Sequence, residues 1–365
     1  DYSWRFGIVE TETPYQTYSQ SVIGNPNARW ETAVKNNLAV ETGFYSNIIR
    51  VSFDYFWGKR RDIFMSSSQR NIPPWFGANP IAANLGSTKE SGFEIDVKFN
   101  NRYNNLRVFL DANMSYVTTE VLYREDPELL PDYQKAAGFP IGQVRTIMHD
   151  DVIDSWDEMY TGVNGLPSTN TWDLPGDYRM VDYNADGIID NKDVVPYGYS
   201  TRPQYVFSFT PGIQYKNFEF SVQFYGMTNY ILNQNLEMWG QYHDYSIDQI
   251  AYDNLWLPGR EDNADYLRPT WKYGNRGGLD YGHYNQVDGT IWRIKTAEIA
   301  YTFTPGNLLL GMDNIRVYIN GTNLWLYNHL NEDRDRTSTR NYAADDGFDA
   351  YPLMKTVNFG VNVTF

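Results

Sequence analysis

The last twelve residues, Met354 to Phe365, constrain this chain more than any other stretch. From Val357 onward each odd position is large and apolar: Val357, Phe359, Val361, Val363 and Phe365. Each even position is small or polar: Thr356, Asn358, Gly360, Asn362 and Thr364. Side chains of a strand alternate between its faces, so this segment has one greasy face and one wet face along its whole length.

The same period of two recurs along the chain. Phe218, Phe220, Val222 and Phe224 oppose Glu219, Ser221 and Gln223, while Tyr205, Phe207, Phe209 and Ile213 oppose Ser208, Thr210 and Gln214. Phe93, Ile95, Val97 and Phe99 alternate with Glu94, Asp96 and Lys98; Leu106, Val108, Leu110, Ala112 and Met114 alternate with Arg107, Asp111, Asn113 and Ser115. Ile49, Val51, Phe53, Tyr55 and Trp57 oppose Arg50, Ser52 and Asp54; Ile315, Val317 and Ile319 oppose Arg316, Asn320 and Thr322. A half-buried sheet of a soluble sandwich would also alternate.

Length and connection decide between the two. The pattern predicts strands at 3–12, 30–44, 48–62, 86–100, 106–120, 203–215, 217–229, 291–304, 314–327 and 354–365. Several are ten or more residues long, enough to cross a tilted bilayer path, whereas ordinary strands are about five or six residues long. The turns near 45–47, 101–105, 216–217 and 305–313 are short. The links 13–29, 63–85, 121–202, 230–290 and 328–353 are long. Strict alternation of short and long connections is the pattern of an antiparallel transmembrane β-barrel with tight turns on one side and long loops on the other. With Phe365 at the periplasmic end, every long loop falls outside the cell. Inward-facing Arg50, Asp54, Glu94, Asp96, Lys98 and Arg107 would then line a lumen or hold a plug.

Composition agrees. A mean hydropathy of −0.56 suits a barrel, whose lumen and loops are polar. No run resembles a spanning helix. Tyr 30 and Trp 11 suit residues that sit at headgroup level or stack on sugars. A net charge of −15 argues against nucleic acid or an anionic ligand as the main partner. Cys 0 removes disulfides and thiol chemistry. Asp1 opens inside a strand-like stretch with no leader before it, so the chain is expected to be mature, trimmed or part of something longer.

Several stretches together resemble the SusC/RagA-type TonB-dependent transporters. They are Trp30–Phe44 with its hairpin into RVSFDYFWGKRRDIF, NLGSTKESGFEIDV (84–97), GFPIGQV (138–144), and DYNADGIIDNKDVVPYG (182–198) leading into RPQYVFSFTPGIQYKNFEFSVQFYG. DNLWLPG, DGTIWRIKTAEIAYTF, NIRVYINGTNLWLY and TVNFGVNVTF complete the set in the same order. The resemblance implies the C-terminal part of a barrel of about twenty-two strands. It also implies an N-terminal plug with its TonB contact outside this segment, and a SusD-like surface lipoprotein as partner. The implied activity is active import of glycans, or in some cases oligopeptides, across the outer membrane of a Gram-negative bacterium. On the residues alone, a self-contained small barrel (a passive porin or an omptin-like protease) and a soluble carbohydrate-binding β-sandwich remain alternatives. The three loops 121–202, 230–290 and 328–353 are assigned to the single barrel segment 1–365.

Two loops carry candidate chemistry. Asp182, Asn184 and Asp186 stand at positions 1, 3 and 5 of a calcium-type loop, with Gly187 at 6, the Ile188 carbonyl at 7, Asp190 at 9 and Asp193 at 12. Aspartate at position 12 reaches less far than glutamate and resembles dockerin-type loops. A run of Asx turns would need no metal, but the carboxylates repel one another, which predicts structural Ca2+. In loop 230–290, Trp239, Tyr242, Tyr245, Trp256, Trp271, Tyr273 and Tyr281 are the candidate substrate-binding aromatics, stacking on sugar rings. The bland alternative is that they pack the loop on itself or against the lipoprotein, and Asp333, Arg334, Asp335 and Arg336 in loop 328–353 suit a docking surface. His149, His243, His283 and His329 have no metal-ligand spacing, and G-x-S-x-G and H-E-x-x-H do not occur. No enzyme activity is predicted.

Overall fold

The computed structural model describes residues 24–70, 80–161, 174–233, 252–253, 255–260, 268, 283, 286–303, 312–329 and 354–365. The expected strand at 3–12 lies outside them. Fifteen strands are described, in chain order β1 (Thr32–Phe44), β2 (Ile49–Met65), β3 (Ala83–Tyr103), β4 (Leu106–Tyr123), β5 (Gln143–Ile147), β6 (His149–Val152), β7 (Tyr178–Met180), β8 (Val194–Ser200), β9 (Tyr205–Tyr215), β10 (Phe218–Thr228), β11 (Ile231–Asn233), β12 (Gln286–Asp288), β13 (Ile291–Phe303), β14 (Asn314–Asn328) and β15 (Thr356–Thr364). Nine of them form one sheet in the order β1-β2-β3-β4-β9-β10-β13-β14-β15. These nine are the strands expected from the alternation, shifted by a few residues at their ends. Each is next to its neighbour in sequence among the long strands, so the sheet is an up-and-down meander.

The turn chemistry explains why the short connections are short. β3 and β4 are joined by Asn104 and Asn105, β9 and β10 by Lys216 and Asn217. Asn104 takes φ 52° and Lys216 φ 55°. Left-handed backbone at this position matches the twist of a two-residue hairpin, and asparagine tolerates it better than most residues.

The register turns the sequence alternation into a surface. Val108 stands opposite Ile213, Ile213 opposite Phe220, Phe220 opposite Ile299, Ile299 opposite Ile319, and Ile319 opposite Phe359. A second row runs Leu106, Tyr215, Phe218, Tyr301, Val317 and Val361. These rows cross six strands with no charged or amide side chain, their only polar atoms being the hydroxyls of Tyr215 and Tyr301. Ile299 is 49% exposed, Ile319 52% and Phe359 70%. A large face of aligned apolar side chains open to the surroundings is unstable in water and stable in lipid.

The opposite face is polar and internally bonded. Arg316 pairs with Glu298 at 2.5 Å, Asn320 donates to Glu298, and Asn358 donates to Asn320 at 3.1 Å. Arg107 donates to Asn100 and lies over the Phe109 ring, while Asn37 donates to Asp54. Phe109 in turn covers Gly212, where a Cβ would meet the ring at 2.0 Å. Register shifts between Gln223 and Phe224 and between Ile294 and Thr296 are bulges, which keep both faces consistent where the strand bends.

The chain divides into two compact units. One comprises 1–36, 57–90 and 119–139, and is held by ion pairs: Arg70 with Glu125 at 2.6 Å, Arg29 with Asp62 at 2.5 Å, Arg60 with Glu31 at 2.7 Å and Lys89 with Glu120 at 2.7 Å. The other comprises 37–56, 91–118 and 140–365. It contains the apolar rows described above and the structured part of the link between β4 and β9.

Candidate functional site

The link between β4 and β9 has a core of its own. β5 pairs with β8 and β6 with β7 as two small antiparallel sheets. Val144, Ile147, Val152, Ile153, Met159, Tyr178, Ile189 and Val195 are buried, as are Leu255 and Trp256 from the link between β10 and β13. Ile153 and Leu255 are each 1% exposed. Both long links therefore carry buried apolar residues, and Trp256 of the second lies against Gly176 of the first.

Polar contacts tie the same two links. Asp177, nearly buried, accepts from the Arg268 guanidinium at 3.1 Å, and the Arg268 backbone N–H donates to the Gly176 carbonyl at 2.8 Å. Gly176, at φ 93°, lies under Trp256, whose ring would be 2.4 Å from a Cβ there. No side chain fits that space. His149 is buried, its ring 4.5 Å from Tyr178 and 4.3 Å from His283, and its backbone N–H donates to His283 Nδ1 at 3.2 Å. Burial, with His283 second, pushes His149 down to about 3, so it stays neutral; burial also lowers His283. Arg179 pairs with Asp150 at 2.8 Å, with Glu158 of the short helix α1 (Trp156–Thr161), and with Asp151 at 3.8 Å. Hydrogen bonds to Asp150 and Glu158 raise Arg179 further.

Among the expected aromatics, only Trp256 lies within the described residues, and it is a core residue covering Gly176. Trp239, Tyr242, Tyr245, Trp271, Tyr273 and Tyr281 lie outside them, as do Asp333 to Arg336. None of these contacts was legible in advance: Asp177 and Arg268 are 91 residues apart, His149 and His283 are 134 apart.

The calcium-type loop is described in full. Asp182 accepts from the backbone N–H of Asp186 at 3.2 Å and of Gly187 at 2.7 Å. Asn184 accepts from the Asp186 N–H at 2.8 Å, and Asp186 from the Ile188 N–H at 3.0 Å. Asp193, wholly buried, accepts from the N–H groups of Tyr183, Asn184 and Asp190 at 2.9, 3.2 and 2.8 Å. Asp190 caps the 3-10 turn Asn191–Asp193 by accepting from the Lys192 N–H at 2.7 Å. The Lys192 ammonium reaches Asp186 at 2.7 Å and Asp190 at 3.5 Å. Its hydrogen bond lowers Asp186 and raises Lys192. The repulsion anticipated among the carboxylates is thus relieved by backbone N–H groups and one lysine. Among the described residues, no group of three or more His, Cys, Asp or Glu side chains converges to hold a metal ion.

Comparison with known proteins places this architecture. No family model matches the chain. Two TonB-dependent receptors of Formosa agariphila, P26 and P3, are 26% and 25% identical to it over 98% and 94% of its length. The chain is similar to these TonB-dependent receptors over nearly all of its own length. It spans about a third of the length of these relatives, 37% and 35%. Among solved structures, the RagAB peptide transporter aligns with a TM-score of 0.60 at 16% identity, covering 90% of this chain and 35% of that one. The RagAB importer in its open-open state gives 0.61 at 17%, covering 91% and 35%. At that identity the likeness speaks for the fold, an antiparallel sheet forming part of a TonB-dependent transporter barrel. The family resemblance and fold class read from the sequence are borne out. The homologues are receptors and transporters rather than enzymes.

Proposed function

We propose that this chain forms part of the wall of an outer-membrane, TonB-dependent nutrient importer, its apolar rows against lipid and its long links outside the cell. One observation carries the reading: the apolar rows from Val108 to Phe359 cross six strands and remain exposed, in a chain similar to TonB-dependent receptors over nearly all its length. The polar face, with Arg316, Glu298 and Asn320, then lies toward the lumen or plug. Import uses binding energy and gating rather than covalent chemistry. The transporter works with a SusD-like lipoprotein and receives energy from TonB through a plug region beyond this segment. Among the alternatives, a small self-contained barrel fits less well, because β1 and β15 are the two ends of the sheet among the described residues. A soluble sandwich leaves the exposed rows without a partner.

The substrate class we favour is an oligosaccharide, on the aromatic density of link 230–290. An oligopeptide is the second reading, supported by the RagAB structures, which are of a peptide transporter. The experiment uses the full-length transporter in its own membrane. The expected results are detergent-dependent extraction, co-purification of a surface lipoprotein and energy-dependent uptake of defined oligosaccharides. Extraction as a soluble monomer would overturn the barrel reading; uptake of peptides alone would move the substrate to the second class.

Calcium belongs to the same proposal. Asp182, Asn184, Asp186, the Ile188 carbonyl, Asp190 and Asp193 supply the oxygen ligands that calcium takes, once Lys192 releases Asp186 and Asp190. The ion would brace the link outside the cell. Protease resistance of residues 121–202 should rise with calcium, and equal digestion with calcium and with chelator refutes it.

A further inference from the structure

The outward face of the first unit changes character abruptly along β2. Trp57 is an exposed apolar position of that strand, and the next two residues of the same parity are Lys59 and Arg61, both exposed. Strand rise puts Lys59 about 6–7 Å and Arg61 about 13 Å beyond Trp57. Tryptophan favours the interface between hydrocarbon and headgroups, so the two cations lie at headgroup height.

The neighbouring strand adds a third. A Cβ at Gly58 would lie 3.1 Å from Glu90 Oε1 and 3.1 Å from the Val34 carbonyl, so Gly58 sits beside Glu90 on β3 and Val34 on β1. Side-chain alternation then places Lys59 beside Lys89 on the outward face. Val34, 45% exposed, extends the greasy surface below them. Lys89 pairs with Glu120 at 2.7 Å. Among the described residues, the side chains of Lys59 and Arg61 make no hydrogen bond or ion pair. The remaining charges of this region are committed or on the opposite face: Asp62 pairs with Arg29, Glu31 with Arg60, and Lys35 and Glu90 belong to the inward positions. Among the described residues, the outward group of Lys59, Arg61, Lys89 and Glu120 carries two positive charges with no carboxylate paired to them, in a chain whose net charge is −15.

We propose that Lys59, Arg61 and Lys89 bind the phosphate of a membrane lipid headgroup in the outer leaflet, seated over Val34 and Trp57. This rests on the barrel reading above. Two adjacent strands presenting like charges directly opposite each other weaken the sheet, and a phosphate removes that penalty. Lysine and arginine stems lie along the apolar surface while their heads reach the headgroup, which suits a lipid better than a soluble anion.

The test uses the full-length transporter purified in detergent, with native mass spectrometry reading retention of added phosphorylated lipid A and of its dephosphorylated form. The phosphorylated glycolipid should be retained selectively and survive millimolar inorganic phosphate. Lys59→Glu with Arg61→Glu should lower retention ~30-fold or more, the loss expected for two cations near an anionic surface. Lys59→Arg with Arg61→Lys should keep it, as should Lys35→Glu on the inward face. Equal retention of both glycolipids, displacement by inorganic phosphate, or an equal loss with Lys35→Glu would overturn the proposal. If the charge-reversed variant does not assemble, a salt titration of the unaltered protein decides: retention must fall as ionic strength rises from about 0.05 to 0.5 M, and salt-independent retention refutes it. A membrane-inserted protein without selectivity defeats only this inference, whereas a soluble protein defeats the barrel reading itself.

Discussion

The nine-stranded sheet and the structured links that follow β4 and β10 solve opposite problems. In the sheet, the large apolar side chains are exposed and the polar ones are bonded to each other on the far face. In the links, Ile153, Leu255, Ile147 and Tyr178 are buried and the charged groups are outside, with Asp177, Asp193 and His149 as the buried exceptions. One chain thus carries a lipid-type and a water-type arrangement side by side. The difference teaches that burial identifies the core only where water is the solvent. In the sheet the informative observation is the exposed row, and in the links it is the buried acid and the neutral histidine.

The strongest way to probe that contrast is to remove a buried charge partner in the links. Asp177→Ala leaves the Arg268 guanidinium, only 19% exposed, without its carboxylate. Loss of one partner of a buried pair costs about 3–5 kcal/mol, so protease sensitivity of the links should rise sharply while the sheet still assembles. Joint loss of both would show that links and sheet fold as one cooperative unit.

Next is a charge on the apolar row. Ile319→Arg should destabilise the sheet by about 2–4 kcal/mol if it faces hydrocarbon near the bilayer centre, whereas Asn320→Arg, one residue along and on the polar face, should cost far less. Urea titration of the full-length protein in lipid measures both. Equal effects would mean that the two faces do not see different solvents.

Acid should act on the links and spare the row. His149 titrates near 3 when folded and near 6.5 when unfolded, so its contribution is present above pH 6.5 and lost as pH falls toward 3. Between pH 7 and pH 5 the loss is about 2 kcal/mol, read as faster proteolysis of the links. His149→Phe should flatten that pH dependence, and an unchanged slope would assign it to other groups. The smallest effect concerns Lys192. Replacing it with methionine frees Asp186 and Asp190 and should tighten calcium binding roughly two- to fivefold; calorimetry that finds no binding to either protein removes calcium from this loop.

The two regions were also unequally legible. The sheet could be read residue by residue, because strand periodicity is local and Val357 to Phe365 declares its two faces without reference to any partner. The short turns at Asn104 and Lys216 declared themselves likewise through their neighbours. The calcium-type spacing at Asp182 to Asp193 was visible, but the role of Lys192 as internal counter-ion was not, since its position outside the expected ligand set gave no cue. Trp256 was read as a sugar-stacking candidate on composition, and in the structure it covers Gly176 in the core.

By itself, then, the sequence determined which residues share a strand face, where the chain turns tightly, and that one face must meet an apolar medium. Those are consequences of a two-residue period and of backbone sterics, which act between near neighbours. Only the tertiary structure decided that Asp177 meets Arg268, that the His149 ring lies against His283, and that Trp256 covers Gly176. Such contacts join residues about a hundred positions apart, and their selection depends on the summed packing of both links rather than on any pattern either one carries.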